Sequence, residues 1–509
     1  MKLENKILSR SVINSACALN LHRVLSGFCI SIFFIHAALA QNIEWSNPQK
    51  VRSRNLYVQV LGENASGIYL IRSRDHDFTK DLVIEKYKSN LALELSIPLP
   101  INVNGTVERV LLYENFIYVF MSARNSTSGN IELLAQKLDE NLKPAGTLIS
   151  LLSINVERFI DRRNFHIKAT GDKGKTGVMY LTYNNDKKAT VMNLLCFNDG
   201  LAQIYGKQFN LNYEESDIFI TSYELSNNGD GFVLLDYPRD EKHKKDNDPR
   251  SFYLYGYYQA GDKMLEYDLG QNEFFIEEIG MCMNNFKHCI GISGFYSEAS
   301  GKAVDGYFYV NIDLNSGTIV NKYFGAVDRS MFTRMLNSRV QSNSDLSDFY
   351  IRKIVPRSDG GLILFAEKYY QTRQTYTYYV NNFPQTSTRI IYNFDDVAIM
   401  SINPDGKLQF SELVKKNQSS MSDGGYLSSV VLVPTTDYVY VLYNSDVSSD
   451  ADVMLSYINY EGKIENKIMI KNVNFNAAII PGESRQITGS SAIICALRDK
   501  RFALMRVSF

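Results

Sequence analysis

The chain is nearly without tryptophan, poor in proline and histidine, and shows no excess of either charge. Trp45 is the single tryptophan, and 509 residues include 11 prolines, 6 histidines and 6 cysteines. With 54 basic against 55 acidic residues, no global field draws in nucleic acid or an anionic membrane, so no nucleic-acid partner is expected. His76, His166, His243 and His288 are scattered, and HExxH, a CxxC pair, GxSxG, a P-loop and a GxGxxG after a strand are all missing. Those absences exclude the zinc, nucleophile-elbow and phosphate-cradle motifs, and no metal or cofactor is expected. The loops Asp75-His76-Asp77 and Ser449-Asp450-Ala451-Asp452 lack EF-hand ligand spacing.

Cysteine is too sparse for a disulfide scaffold. Cys282 and Cys289 flank Met-Asn-Asn-Phe-Lys-His, which could close a hairpin, and they are the candidate disulfide. Cys196 and Cys495 sit in apolar runs and read as small buried hydrophobes.

What the N-terminus does have is an export signal. Lys2, Lys6, Arg10 and Arg23 precede an apolar run from Val24 to Ala40, and Ala38 and Ala40 occupy the positions of an Ala-x-Ala cleavage site. The run is shorter than the roughly 20 residues that span a bilayer, so residues 1–40 read as a signal peptide. The mature chain is expected to start at Gln41, with no transmembrane helix.

The rest is rich in Tyr, Phe, Val and Ile, and one unit recurs. From Asp396 to Leu413 an apolar run, Val397 to Ile402, meets Asn403-Pro-Asp-Gly406-Lys407 and a second run from Leu408. Pro presets φ for a turn and Gly accepts positive φ, so this spells a β-hairpin. Counterparts stand at Asn90-Leu91, Asn141-Leu142, Gly200-Leu201, Gly261-Asp262, Gly317-Thr318 and Gly462-Lys463. A spacing of roughly 50 to 60 residues, wider before Gly406, belongs to propellers, solenoids or arrays. Two further strands fit upstream of each turn pair, and four strands per period is the content of a propeller blade.

The expected fold is therefore all-β: a β-propeller over residues 41–509. Seven turns leave two strands at Ser491 to Leu497 and Arg501 to Phe509 without an outer partner. The mature N-terminus, near Ile43 to Val51, could supply it and close an eighth blade; seven blades is the alternative. An outer-membrane β-barrel is the lesser alternative, since Gly361 to Ala366, Val430 to Val433 and Ile493 to Leu497 are continuously apolar where barrel strands alternate.

Three insertions break the repeat: Pro238 to Arg250 in blade 4, Ala326 to Asp348 between blades 5 and 6, with room for a short helix at Ser330 to Leu336, and Tyr369 to Phe394 in blade 6. All would emerge on one face over adjacent blades, which makes that face the candidate binding surface. The charged run Asp240 to Asp248 reads as a solvated loop. Tyr369, Tyr370, Tyr376, Tyr378, Tyr379 and Phe383 are the candidate binding residues; they either extend two strands into a long hairpin or form a sugar- or protein-binding aromatic patch. A carbohydrate-active enzyme, a glycoside hydrolase or lyase, is the alternative function, and it requires carboxylates gathered in the central channel.

The segments Ile351-Arg-Lys-Ile-Val-Pro-Arg-Ser-Asp-Gly-Gly-Leu-Ile-Leu-Phe-Ala-Glu367, Asp395-Asp-Val-Ala-Ile-Met-Ser-Ile-Asn-Pro-Asp-Gly-Lys407 and Val414-Lys-Lys-Asn-Gln418 resemble uncharacterised exported propeller-like proteins of the Bacteroidota cell envelope. The resemblance implies a propeller fold and a periplasmic or outer-membrane-associated location; the one-sided clustering of insertions adds the expectation of a non-catalytic binding or scaffolding module with an envelope protein or glycan as partner. No appended sorting domain is evident at the C-terminus, which favours the periplasm or an envelope complex.

Overall fold

The computed structural model describes residues 42–509 apart from 51–55, 101–104, 156–164, 185–188, 212–217, 239–249, 260–261, 270–273, 299–303, 328–347, 382 and 449–450. Its strands form eight separate antiparallel sheets, each a meander running from an inner to an outer strand. Blades 1 to 7 span 57–98, 105–154, 166–211, 219–268, 275–326, 349–414 and 431–470. Blade 8 takes its inner three strands from Ala477–Gln486, Ser491–Arg498 and Arg501–Ser508, and its outer strand from Asn42–Trp45. The two ends pair in the register Asn42↔Ser508 to Trp45↔Met505, and a bridge at Gln49↔Phe502 extends the contact. The fold is thus an eight-bladed β-propeller closed by its termini. The closing strand is shorter than expected, and the sequence reading missed the inner strand Ala477–Gln486. Seven blades and the membrane barrel are both overturned, because eight distinct sheets replace one continuous wall. No helix among the described residues is long and apolar enough to cross a membrane.

Continuous apolar runs make sense in this arrangement, because a middle strand is covered on both faces. Every position of Cys289–Ser297 in blade 5 is buried. Eight hydrophobic clusters occupy the eight junctions between neighbouring blades, including the 8–1 junction, where Val58, Leu70 and Tyr87 pack with Ile493, Cys495 and Phe502. The ring is held by its seams, and each seam buries one face of two sheets.

The recurring turns join the third and fourth strands on what we term the lower face. Gly317, Gly406 and Gly462 take positive φ there, as turn chemistry requires. In blades 1 to 3 the left-handed residue is instead Leu91, Leu142 or Leu201, at φ 62–63°, and Gly200 is not left-handed. These leucines are buried in the seams. Left-handed backbone costs about 1–2 kcal/mol for a side chain, and burying a leucine returns about 1.5–3 kcal/mol. Packing therefore overrides local turn preference in three of the eight blades.

Asparagines lace neighbouring lower turns together: Asn227 N–H donates to Asn285 Oδ1 at 2.8 Å, and Asn284 Nδ2 donates to Arg357 O at 2.7 Å. The opposite, upper face carries the loops between second and third strands and the links between blades.

Candidate functional site

Blade 6 departs from its neighbours on the upper face. Its second and third strands, Leu362–Val380 and Phe383–Ile402, run far past the ring as one hairpin. At about 3.3 Å per residue the stretch from Tyr369 to Val380 rises roughly 35 Å. The insertion is thus an extension of the blade's own strands. Asn381, at φ 49°, makes the tight turn at the tip. Near the base a third strand, Gln418–Met421, pairs with Ile391–Phe394.

The hairpin leaves the blade at an irregularity. Glu367 opposes Val397 and Tyr369 opposes Phe394, so Lys368 on one strand faces Asp395 and Asp396 on the other. Inside this bulge lies a charge network. Glu367 is fully buried; Lys416 Nζ reaches its Oε1 at 2.7 Å, and Arg352 Nε donates to its Oε2 at 2.6 Å. Ser429 Oγ donates to the same Oε2 at 2.7 Å, and Lys416 Nζ also donates to Phe394 O at 2.9 Å and Gln418 Oε1 at 3.1 Å. Lys416 N–H donates to Asp396 Oδ1 at 2.9 Å. Burial raises the Asp396 carboxyl to about 6, and desolvation holds Lys416 below its ordinary value despite Glu367.

Other blades show where this device comes from. The inner strands of blades 2, 5 and 6 each bulge by one residue, at Glu108, Glu277 and Arg352. The bulged side chain turns onto the second strand, where Ser122 and Ser297 donate to Glu108 and Glu277. Glu367 occupies the equivalent position in blade 6, with Arg352 on the bulge. The polarity is inverted there, and Lys416 supplies the second cation.

The six candidate aromatics divide at this root. Tyr369 and Tyr370 belong to the base: both are half-buried, Tyr369 packs on Phe394 at 4.7 Å between ring centroids and on Tyr350 at 5.8 Å, and Arg352 lies 5.8 Å from the Tyr369 ring. Tyr376, Tyr378, Tyr379 and Phe383 stand on the distal part, at 39%, 45%, 71% and 70% exposure. Strand alternation puts Tyr376, Tyr378 and Phe383 on one face and Tyr379 on the other. Tyr376 and Tyr378 are 6.0 Å apart, and the Arg389 guanidinium sits 4.7 Å over the Tyr376 ring. Hydrogen bonds from Ser387 and Arg389 hold the Tyr376 phenol below its ordinary value. The other two insertions and the suggested helix at 330–336 lie outside the described residues, apart from their ends.

The expected Cys282–Cys289 disulfide is not formed; both are buried free thiols. Register explains it: Cys282 opposes Gly291 and Cys289 opposes Asn284, so the two are diagonal neighbours. Carboxylates of the inner strands are dispersed over separate partners. Glu63 pairs with Arg506 at 2.5 Å, Glu224 with Lys168 at 2.6 Å, and Glu278 and Glu483 accept the Ile351 and Val58 N–H groups at 3.1 and 2.7 Å. No group of three or more His, Cys, Asp or Glu placed to hold a metal occurs among the described residues.

Sequence reasoning missed the root network, although Arg352, Glu367, Asp396, Lys416 and Gln418 lie within the segments that carry the envelope resemblance. The available signal was a carboxylate, Glu367, closing the apolar run Leu362 to Ala366.

A scan of protein-family models gave no match for this chain, and a search of curated proteins gave none. Solved structures it resembles include the polysaccharide lyase Uly1, at 9% identity and TM-score 0.39 over 91% of this chain and 99% of that one. Others are the WD40 domain of SCAP from fission yeast, at 10% and 0.40 over 92% and 98%, and the β-propeller domain of the Trilobed protease from Pyrococcus furiosus, at 10% and 0.33 over 83% and 94%. Likeness at this level carries nothing about activity.

Proposed function

We propose that this protein is a non-catalytic binding propeller, exported to the bacterial cell envelope, and that the blade 6 arm captures a partner protein there. One observation carries the reading: a rigidly rooted hairpin stands clear of the ring with four exposed aromatic rings on its distal part. Soluble proteins rarely leave such a strand pair bare, because its unpaired edges and apolar rings invite association. The arm offers a partner strand addition along an edge, with Tyr376, Tyr378 and Phe383 as anchors on one face. The dispersal of inner-strand carboxylates supports a binding role over the hydrolase or lyase reading, which needs paired acids open to substrate. Export rests on the N-terminal basic residues and apolar run. A glycan partner is the second reading, favoured by the neighbouring Tyr376 and Tyr378 rings.

The test is affinity capture from solubilised envelope by the full chain and by a variant in which residues 374–389 are replaced with Asn-Gly, joining Arg373 to its cross-strand partner Ile390. A stoichiometric protein lost on shortening supports the proposal. Equal capture by both overturns the arm assignment, and glycan-array binding without any protein partner moves the reading to glycans. N-terminal sequencing of the exported product should begin at Gln41; a retained leader would overturn the cleavage assignment.

A further inference from the structure

The mouth of the central channel opposite the arm collects positive charge from four blades. Arg109, Lys353 and Arg485 stand on the inner strands Gly105–Leu112, Phe349–Pro356 and Ala477–Gln486 of blades 2, 6 and 8. Lys173 lies in the turn that follows the inner strand His166–Ala169 of blade 3. Inner strands run from the upper to the lower face, and Arg485 is one residue from the end of its strand. With the turn residue Lys173 it marks the lower mouth.

Arg109, Lys173 and Lys353 each stand within electrostatic reach of Arg485. Beyond the larger effect of burial, Arg485 pushes the Lys173 and Lys353 ammonium groups down, and Arg109 does the same to Arg485. Water still reaches them: Arg109 and Arg485 are exposed, and Lys173 and Lys353 are half-buried. Groups that touch water and are also desolvated line a concave passage walled by protein, where a field is focused rather than dispersed.

None of the four has a carboxylate within ion-pair distance among the described residues. Glu114 attracts Lys173 only weakly. Arg485 Nη1 donates to Val60 O and Leu61 O of blade 1, both at 3.1 Å, which fixes the guanidinium without a counter-charge. The acids beside them in sequence have other partners: Glu108 accepts from Ser122, Glu483 from Val58 N–H, and Asp172 from Thr170 Oγ1 and Gly174 N–H. Like charges gathered without counterions raise the energy of the fold, and an anion bound between them lowers it.

We propose that this mouth is a binding site for a ligand bearing several oxyanion groups: phosphate, sulfate or carboxylate. Cations contributed by blades 2, 3, 6 and 8 are spread around the channel, so they suit a polyvalent ligand better than a single small anion. The site is separate from the arm and does not depend on it.

The experiment is calorimetric titration of the purified full chain with tripolyphosphate, oligogalacturonate and dextran sulfate, using neutral dextran as reference, at low and high salt. At least one anion should bind, more weakly as salt rises, and the preferred probe identifies the oxyanion. Arg109→Gln and Lys353→Gln remove side chains with no hydrogen bond or ion pair among the described residues, so both should fold; each should weaken binding about three- to tenfold at low salt. Lys80→Gln on the upper face and the arm-shortened variant should bind as the parent does. Binding of no anion above the dextran reference, or undiminished affinity in the Arg109→Gln/Lys353→Gln double variant, would overturn the proposal.

Discussion

The root and the tip of the blade 6 hairpin are made by the same two strands and built in opposite ways. At the root the buried charges are matched: Glu367 and Lys416 lie inside and pair with each other, the more exposed Arg352 donates to Glu367, and Lys416 is further bound to Phe394 O and Gln418. On the distal part the rings of Tyr379 and Phe383 are mostly in solvent, and Tyr376 is steadied by Ser387 and Arg389 across the hairpin and by Tyr378 on its own strand. A buried ion pair adds little net stability over an apolar substitute but is intolerant of misplacement. The root therefore sets the direction in which the strands leave the ring, and the tip remains open for contact.

Breaking the root should have the largest effect. Glu367→Ala leaves Lys416 buried without a counter-charge and should cost about 3–5 kcal/mol in urea unfolding. Glu367→Leu combined with Lys416→Met should recover most of that loss. If the double replacement is as damaging as the single, the network contributes stability that this comparison denies it.

The pH response tests the same region. Asp396 is raised from 3.8 to about 6, and Glu483 in blade 8 from 4.5 to about 7, both by burial. Between the unfolded and folded values the native state holds more protons than the unfolded chain, so stability falls as pH rises through this window. The loss should approach about 3 kcal/mol for Asp396. Melting temperature followed from pH 4.5 to pH 8 should decline, and Asp396→Asn should flatten the decline, because its amide oxygen still accepts from Lys416 N–H. An unchanged slope would remove Asp396 as the cause.

The regular ring calibrates both results. Leu201→Gly relieves left-handed backbone but empties a seam position, and should cost about 1–2 kcal/mol; Leu201→Ala keeps the strain, loses the burial and should cost more. The reverse order would show that strain outweighs packing at this turn. Smallest of all in stability is the tip. Replacing Tyr376, Tyr378 and Phe383 with Ser should leave the melting temperature unchanged while abolishing partner capture, and a variant that unfolds earlier would assign the rings to the fold.

Much of the architecture was legible because each blade repeats a local pattern. The turn at Asn403-Pro404-Asp405-Gly406 and the two-sided burial of runs such as Leu362 to Ala366 need no distant partner to be recognised. Even ring closure could be inferred from a final sheet that lacked an outer strand. The site was legible only in part. Alternating Tyr and Thr marked the arm, but the packing of Tyr369 and Tyr370 into its base follows from the bulge at Lys368, and a bulge depends on what opposes it. Cys282 and Cys289 illustrate the same limit, since a shift of two residues in register separates facing cysteines from diagonal ones.

By itself, then, the sequence determined the strand-rich class, the period and a ring of seven or eight blades, because turn residues and apolar runs act over a few neighbouring positions. Tertiary structure alone decided that Lys416 and Arg352 meet Glu367, and that Arg109, Lys173 and Lys353 come within electrostatic reach of Arg485. Those meetings join residues from different strands and blades, and only closing the ring brings their charges within range of each other.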